Sequence, residues 1–210
     1  MNIQFKNEKL TSSGVTRRLL HYYSLANDTD IENRNWYIDA NNFCNEIGEI
    51  YNKPSFQVAG VCAALSPMKN WQSNMKLTRD FMKGSRGGHY GTQIQKASQC
   101  LKSSEDEIFY VLTKNGLKTS QFYLNISNPL DVNGVTIDRH AIGASIYSPK
   151  NIKTLPDSHG LMSVNQYKFF QSCYINASII VECRPHEFQA IIWSVYRRLK
   201  NLPQEYNVPF

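Results

Sequence analysis

An all-α fold of about nine helices is what this chain predicts, and three observations carry the prediction. Apolar residues recur at helical spacing in segment after segment, no segment shows convincing strand alternation, and Pro, Gly and capping residues stand where helices should start and stop. At 210 residues the chain is long enough for one well-buried core or two small lobes. One domain spanning residues 1–210 and built as two lobes is expected.

Val15 to Ala26 carries Leu19, Leu20, Tyr23 and Leu25 at helical spacing. Trp36 to Tyr51 places Tyr37, Ala40, Phe43, Cys44, Ile47 and Ile50 on one stripe. Pro54 restarts the chain, Val58 to Leu65 is small and apolar as in a buried helix, and Ser66-Pro67 stops it. Trp71 to Met82 is a further amphipathic helix. Gly84, Gly87, Gly88 and Gly91 then mark a flexible connection containing Arg86 and His89. Ser104 to Glu107 forms a capping-box pattern opening a helix through Ile108, Phe109 and Leu112, closed by Lys114-Asn115-Gly116. A helix from Leu117 to Ile126 follows, then a loop with Pro129 and Gly134, and another helix starts at Asp138. Pro149 to Gly160 reads as a loop, and helices over Ser163 to Val181 and Pro185 to Leu199 finish the chain.

The net charge of +6 and pI near 9.0 suit a polyanionic partner, because cationic surfaces release counterions from phosphates. Five scattered cysteines form no CxxC pair or zinc-like cluster, so neither a disulfide scaffold nor a metal site is expected, and no cofactor. The polar N-terminus and the lack of a run of about 20 apolar residues predict no membrane span and a reducing, cytoplasmic setting.

Chemistry concentrates between Lys114 and His140. Lys118 falls in the first turn of its helix, where unpaired N–H groups and the macrodipole disfavour a second positive charge. The helix after it rises roughly 15 Å, and the loop beyond spans up to about 25 Å, so Asp138 can return beside Lys118. A partly desolvated lysine is an amine nucleophile, and a carboxylate offsets a developing oxocarbenium ion, which together suit attack at a sugar's anomeric carbon.

At these residues the chain resembles the helix–hairpin–helix DNA glycosylases. Gly116-Leu117-Lys118-Thr119 is similar to the start of the family's second hairpin helix, whose lysine is the Schiff-base nucleophile of bifunctional members. Val135-Thr136-Ile137-Asp138-Arg139-His140 is similar to the segment whose aspartate is catalytic. Ala64-Leu65-Ser66-Pro67-Met68 resembles the helix end that precedes a wedge residue, giving that role to Met68 or its neighbours Lys69 and Asn70. The resemblance implies a hairpin over about 105–127, a catalytic loop over about 128–138, and double-stranded DNA with an extruded base as partner of a monomeric enzyme. It assigns Lys114, Asn115, Gly116, Thr119, Arg139 and His140 to DNA contact. Two features depart from the pattern: the hairpin lacks its proline and first glycine, so that Lys114 either contacts the phosphate with its side chain or marks a weakened DNA grip, and no four-cysteine cluster follows.

Each residue also has an ordinary reading. Lys118 suits a solvated helix face, Asp138 an N-cap, Met68 loop packing, and His140 packing or support of the carboxylate. Gln189 and Trp193, four residues apart, offer an amide and an aromatic plane to a base, or a core face. Lys69, Lys76, Arg79, Lys83 and Arg86 suit phosphates or water equally. A glycosylase with optional lyase activity is the leading expectation. A phage-type transferase that displaces pyrophosphate from an activated hydroxymethyl-pyrimidine in DNA, in a host cytoplasm, and a non-catalytic DNA-binding accessory are its alternatives.

Overall fold

A computed structural model describes residues 1–6, 8–113, 116–130, 134–154 and 162–203. Among them run strands β1 (Asn2–Phe5) and β2 (Glu8–Thr11), then helices α1 (Ser12–Tyr23), α2 (Asp28–Glu32), α3 (Trp36–Tyr51), α4 (Ser55–Leu65), α5 (Trp71–Met82) and α6 (Gly91–Cys100). They continue as α7 (Glu105–Thr113), α8 (Leu117–Ser127), α9 (Arg139–Ile146), α10 (Val164–Ile180) and α11 (Pro185–Leu199), with 3-10 turns at Asn33–Asn35 and Pro149–Thr154. The second turn occupies the start of the expected Pro149–Gly160 loop, whose remainder lies outside the described residues. The chain divides into two compact units, Met1–Trp36 with Asn133–Phe210, and Tyr37–Val132.

The first unit gathers around α11, which packs on α1, α2, α9 and α10. Phe188, Ile191, Ile192 and Val195 recur every three or four residues, so one face of α11 is apolar and fully buried. From α1 the inward residues are Val15, Leu19 and Tyr22. The expected stripe had run through Tyr23 and Leu25, but α1 ends at Tyr23 and leaves Leu25 exposed.

The N-terminal hairpin corrects the expectation of no strands. Ile3 pairs with Leu10 and Phe5 with Glu8 in an antiparallel register, which puts Ile3, Phe5 and Leu10 on one face. Phe5 meets Phe170 of α10 edge-on at 5.1 Å. Strands of four residues are too short for their alternation to stand out in the sequence.

Asp30 ties α2 to α11 from a fully buried position. One carboxylate oxygen accepts from Ser194 Oγ at 2.7 Å, and the other takes Arg198 Nη2 at 2.7 Å, Arg198 Nε at 2.9 Å and the Asn27 backbone N–H at 3.1 Å. Gly143 makes a second close approach, because a methyl group there would overlap the Tyr196 ring of α11. Gly143→Ala is therefore expected to destabilise the protein by about 1–3 kcal/mol through overpacking. Urea unfolding checks this, and an unchanged midpoint would show that α9 and α11 separate freely.

The second unit is organised on α4, whose residues Val58 to Leu65 are all fully buried against α5, α6, α7 and α8. Gly60 lets α4 come close: a methyl group there would lie 2.9 Å from Cys100 Cβ and 3.0 Å from Ile108 Cγ2. The Asn41 amide of α3 donates to the Ile126 and Ser127 carbonyls at 2.8 and 3.2 Å, supplying donors that the end of α8 lacks internally. Ile50, expected on the α3 stripe, is instead exposed. Of the capping box expected at α7, the Glu107 half is present: the Ser104 N–H donates to Glu107 Oε2 at 2.8 Å, a bond that holds the Glu107 carboxyl below its usual value.

Candidate active site

Tyr167 of α10 shapes the approach to Asp138. Its hydroxyl donates to the Val135 carbonyl at 3.0 Å and accepts the Ile137 N–H at 3.0 Å, while Gln171 Nε2 donates to the same Val135 carbonyl at 3.4 Å. Val135, Thr136 and Ile137 are buried, so the segment entering α9 is anchored on both backbone and side chains.

Asp138 is half-buried and is the N-cap of α9, with extended backbone at φ −101° and ψ −177°. Its Oδ1 accepts the Ala141 N–H at 2.8 Å, satisfying one unpaired donor of the helix start. Its Oδ2 accepts the indole N–H of Trp193 at 3.3 Å. At the other end of α9, the Arg18 guanidinium donates to the Ser145 carbonyl, placing a cation where the helix dipole is negative.

Trp193 thus turns its N–H to a carboxylate, and one face of its ring lies under the Arg197 guanidinium at 4.4 Å. A donor and a ring face of the residue expected to meet a base are thus already used within the protein. Gln189 is only 5% exposed, which removes its amide from any surface ligand in this conformation. His140 is 3% exposed, and its Nε2 lies 3.3 Å from Arg197 Nη1 and 3.5 Å from Arg139 Nε. Burial therefore favours the supporting role for His140 over direct DNA contact, whereas Arg139 is exposed. Arg197 and Tyr167 escaped the sequence reading, although Arg197 stands four residues beyond Trp193 on the same helical face.

In the second unit, Gly116 opens α8 with φ 114°, a left-handed conformation that suits glycine. It has no side chain with which to cap the first turn. Lys118 in that turn is exposed, and among the described residues nothing pairs with its ammonium. The partial desolvation expected of it is absent in this conformation. Thr119 is half-buried beside it, and Lys114 and Asn115 lie outside the described residues.

The turn between α4 and α5 presents Met68 with 86% of its surface exposed and φ +62°. It is therefore not a packing residue, and a non-glycine residue at positive φ marks a backbone that its surroundings impose. Asn70 caps α5 by accepting the Ser73 N–H at 2.8 Å. Two braces join this turn to the Gly-rich stretch: Lys69 Nζ donates to the Gly88 carbonyl at 3.2 Å, and His89 Nε2 lies 3.0 Å from the Pro67 carbonyl. What reads in sequence as a flexible connection is thus tied back to Pro67 and Lys69. It leads into α6, a helix the sequence hides because only Ile94, Ala97 and Cys100 mark its inner face.

His89 Nδ1 accepts the Tyr90 N–H at 2.8 Å, so Nε2 carries the proton donated to Pro67. Burial pushes the His89 pKa down; the Pro67 carbonyl, which favours the protonated ring, opposes this, and the Lys69 charge adds to it. Between that lowered value and about 6.5, the folded chain binds fewer protons here than the unfolded chain. The Tyr90 N–H bond to Nδ1 is then complete above about pH 6.5 and is lost as pH falls through the folded value, whereas the protonated ring keeps its Nε2 bond to Pro67. Hydrogen exchange at the Tyr90 amide, corrected for intrinsic rates, should accelerate from pH 7.5 to 5.5. Protection independent of pH would contradict this.

All five cysteines are free, and among the described residues no group of three His, Cys, Asp or Glu side chains is placed to hold a metal ion. No described helix is long and apolar enough to cross a membrane. A family model described as a family of unknown function (DUF7178) matches residues 1–200. No curated protein and no solved structure matches the chain.

Proposed function

The chain belongs to DUF7178, a family of unknown function, and we propose that it is a DNA glycosylase that cuts the N-glycosidic bond of a base extruded from the duplex, with Asp138 as its reactive acid. The observation that carries this reading is a half-buried carboxylate held at the head of α9 by two N–H donors, Ala141 and Trp193. Fixed charge near a sugar stabilises the oxocarbenium ion that forms as the bond to the base breaks, at no cost of reorganisation during the reaction. The bonding electrons leave with the base nitrogen, a water oxygen adds to the anomeric carbon, and the proton lost from that water ends on the base. In the lyase branch the Lys118 amine adds instead, giving an imine that borohydride reduces to a stable adduct. Further support comes from the net charge of +6 and from Met68, an exposed apolar side chain on a constrained turn, suited to filling the gap that an extruded base leaves.

The test is mass spectrometry of duplexes carrying uracil, oxidised purines, oxidised pyrimidines or hydroxymethyluracil after incubation with the protein. Free base is the expected product. A heavier nucleoside in place of free base would assign the fold to base transfer, and DNA bound without product would make the protein a non-catalytic accessory. Borohydride trapping with wild type and Lys118→Ala decides the lyase branch, which falls if the two behave alike.

A further inference from the structure

We propose that Trp193 is the positioning residue of Asp138, holding the carboxylate in one plane through its indole N–H; this rests on the reading of Asp138 as the reactive acid. A single bond, from the Ala141 N–H to Oδ1, fixes one oxygen and leaves the carboxylate free to turn about its own axis. The Trp193 bond at 3.3 Å to Oδ2 removes that freedom. Indole is a donor only, so it has no alternative polarity to offer the site.

The ring that donates is itself held on two sides. Arg197, one helical turn further along α11, lays its guanidinium 4.4 Å from the ring centroid. Arg197 is anchored in turn by the Pro203 carbonyl, to which Nε donates at 3.0 Å and Nη2 also donates. His140, two residues after Asp138, meets the indole edge-on, with centroids 6.1 Å apart and planes at 75°. Because a guanidinium only donates, His140 Nε2 faces Arg197 Nη1 as an acceptor, which places the imidazole proton on Nδ1. Asp138, Trp193, Arg197 and His140 thus form one connected set, in which α9 supplies the acid and α11 its orientation.

A ring that merely fills space would serve as well without its N–H, and this separates the two roles. In ¹⁵N-labelled protein the Trp193 indole cross-peak, identified by its loss in Trp193→Phe, should move in Asp138→Ala while those of Trp36 and Trp71 stay in place. An unmoved Trp193 cross-peak overturns the proposal, and this readout needs no enzymatic activity and no Trp193 variant beyond the one used for identification. In single-turnover base release, Trp193→Phe should be about 10-fold slower, with the dissociation constant for the same duplex changed less than twofold. Added to Asp138→Asn, the Phe substitution should cost nothing more, since both act on one interaction. Independent, multiplying losses would overturn the positioning role. If the wild-type protein releases no base at all, the glycosylase reading fails while the indole measurement still decides whether Trp193 holds Asp138.

Discussion

Asp138→Asn is expected to slow base release by about 10²–10³-fold while leaving the fold intact, the size of loss seen when one preorganised electrostatic contact to a transition state is removed. The substitution is informative because Asn caps helices as well as Asp does, so Oδ1 can still receive the Ala141 N–H. What changes is the charge and the second contact: with Oδ1 on Ala141, the Asn amide nitrogen faces the Trp193 N–H, donor against donor. Asp138→Ala removes the cap as well and should lose about 1 kcal/mol of stability in addition. A comparison of single-turnover rates with urea midpoints for the two variants separates chemistry from capping. Equal rates in wild type and Asp138→Asn would leave Asp138 only its structural role.

Asp30→Ala should destabilise the protein by about 3 kcal/mol. Removing one member of a buried pair strands its partners, but Arg198 is a third exposed and also donates to the Leu25 carbonyl, so its charge stays partly solvated. That places the loss at the lower end of the range for buried ion pairs. The buried Ser194 hydroxyl and the Asn27 N–H lose the acceptor that Asp30 supplied. A fall in Tm on the order of 10 °C is expected by calorimetry. Ser194→Ala, which removes one donor and leaves the ion pair, should lose far less. If the two variants melt together, the Arg198 pair contributes little.

The helices were legible wherever a wide apolar stripe met a clear boundary: α3, α4, α5, α10 and α11 all lie where spacing and punctuation put them. Elements that are short or bury few apolar residues were not. The hairpin shows four residues per strand, α2 spans five residues, and α6 buries only Ala97 and Cys100. Local chemistry was legible at Asp138, since an aspartate ahead of a helix is a cap by its own geometry. The partner of its second oxygen was not, because Trp193 lies 55 positions away and helical periodicity gives a side chain's face but not the atom it reaches. Met68 shows the same limit in reverse. Pro67 and Trp71 beside it suggest packing, whereas the positive φ that turns it outward is a property of the folded turn.

The charge that Asp138 is assigned can be tested without knowing which base is recognised. Duplexes are prepared with a pyrrolidine, cationic at neutral pH, or with neutral tetrahydrofuran in place of one deoxyribose, and their dissociation constants are measured with wild type and Asp138→Asn. Wild type should hold the cationic sugar at least about 100-fold more tightly, as binding of a transition-state mimic requires, and Asp138→Asn should lose most of that preference. Equal affinity of wild type for the two duplexes, or a preference that survives in Asp138→Asn, would contradict the account.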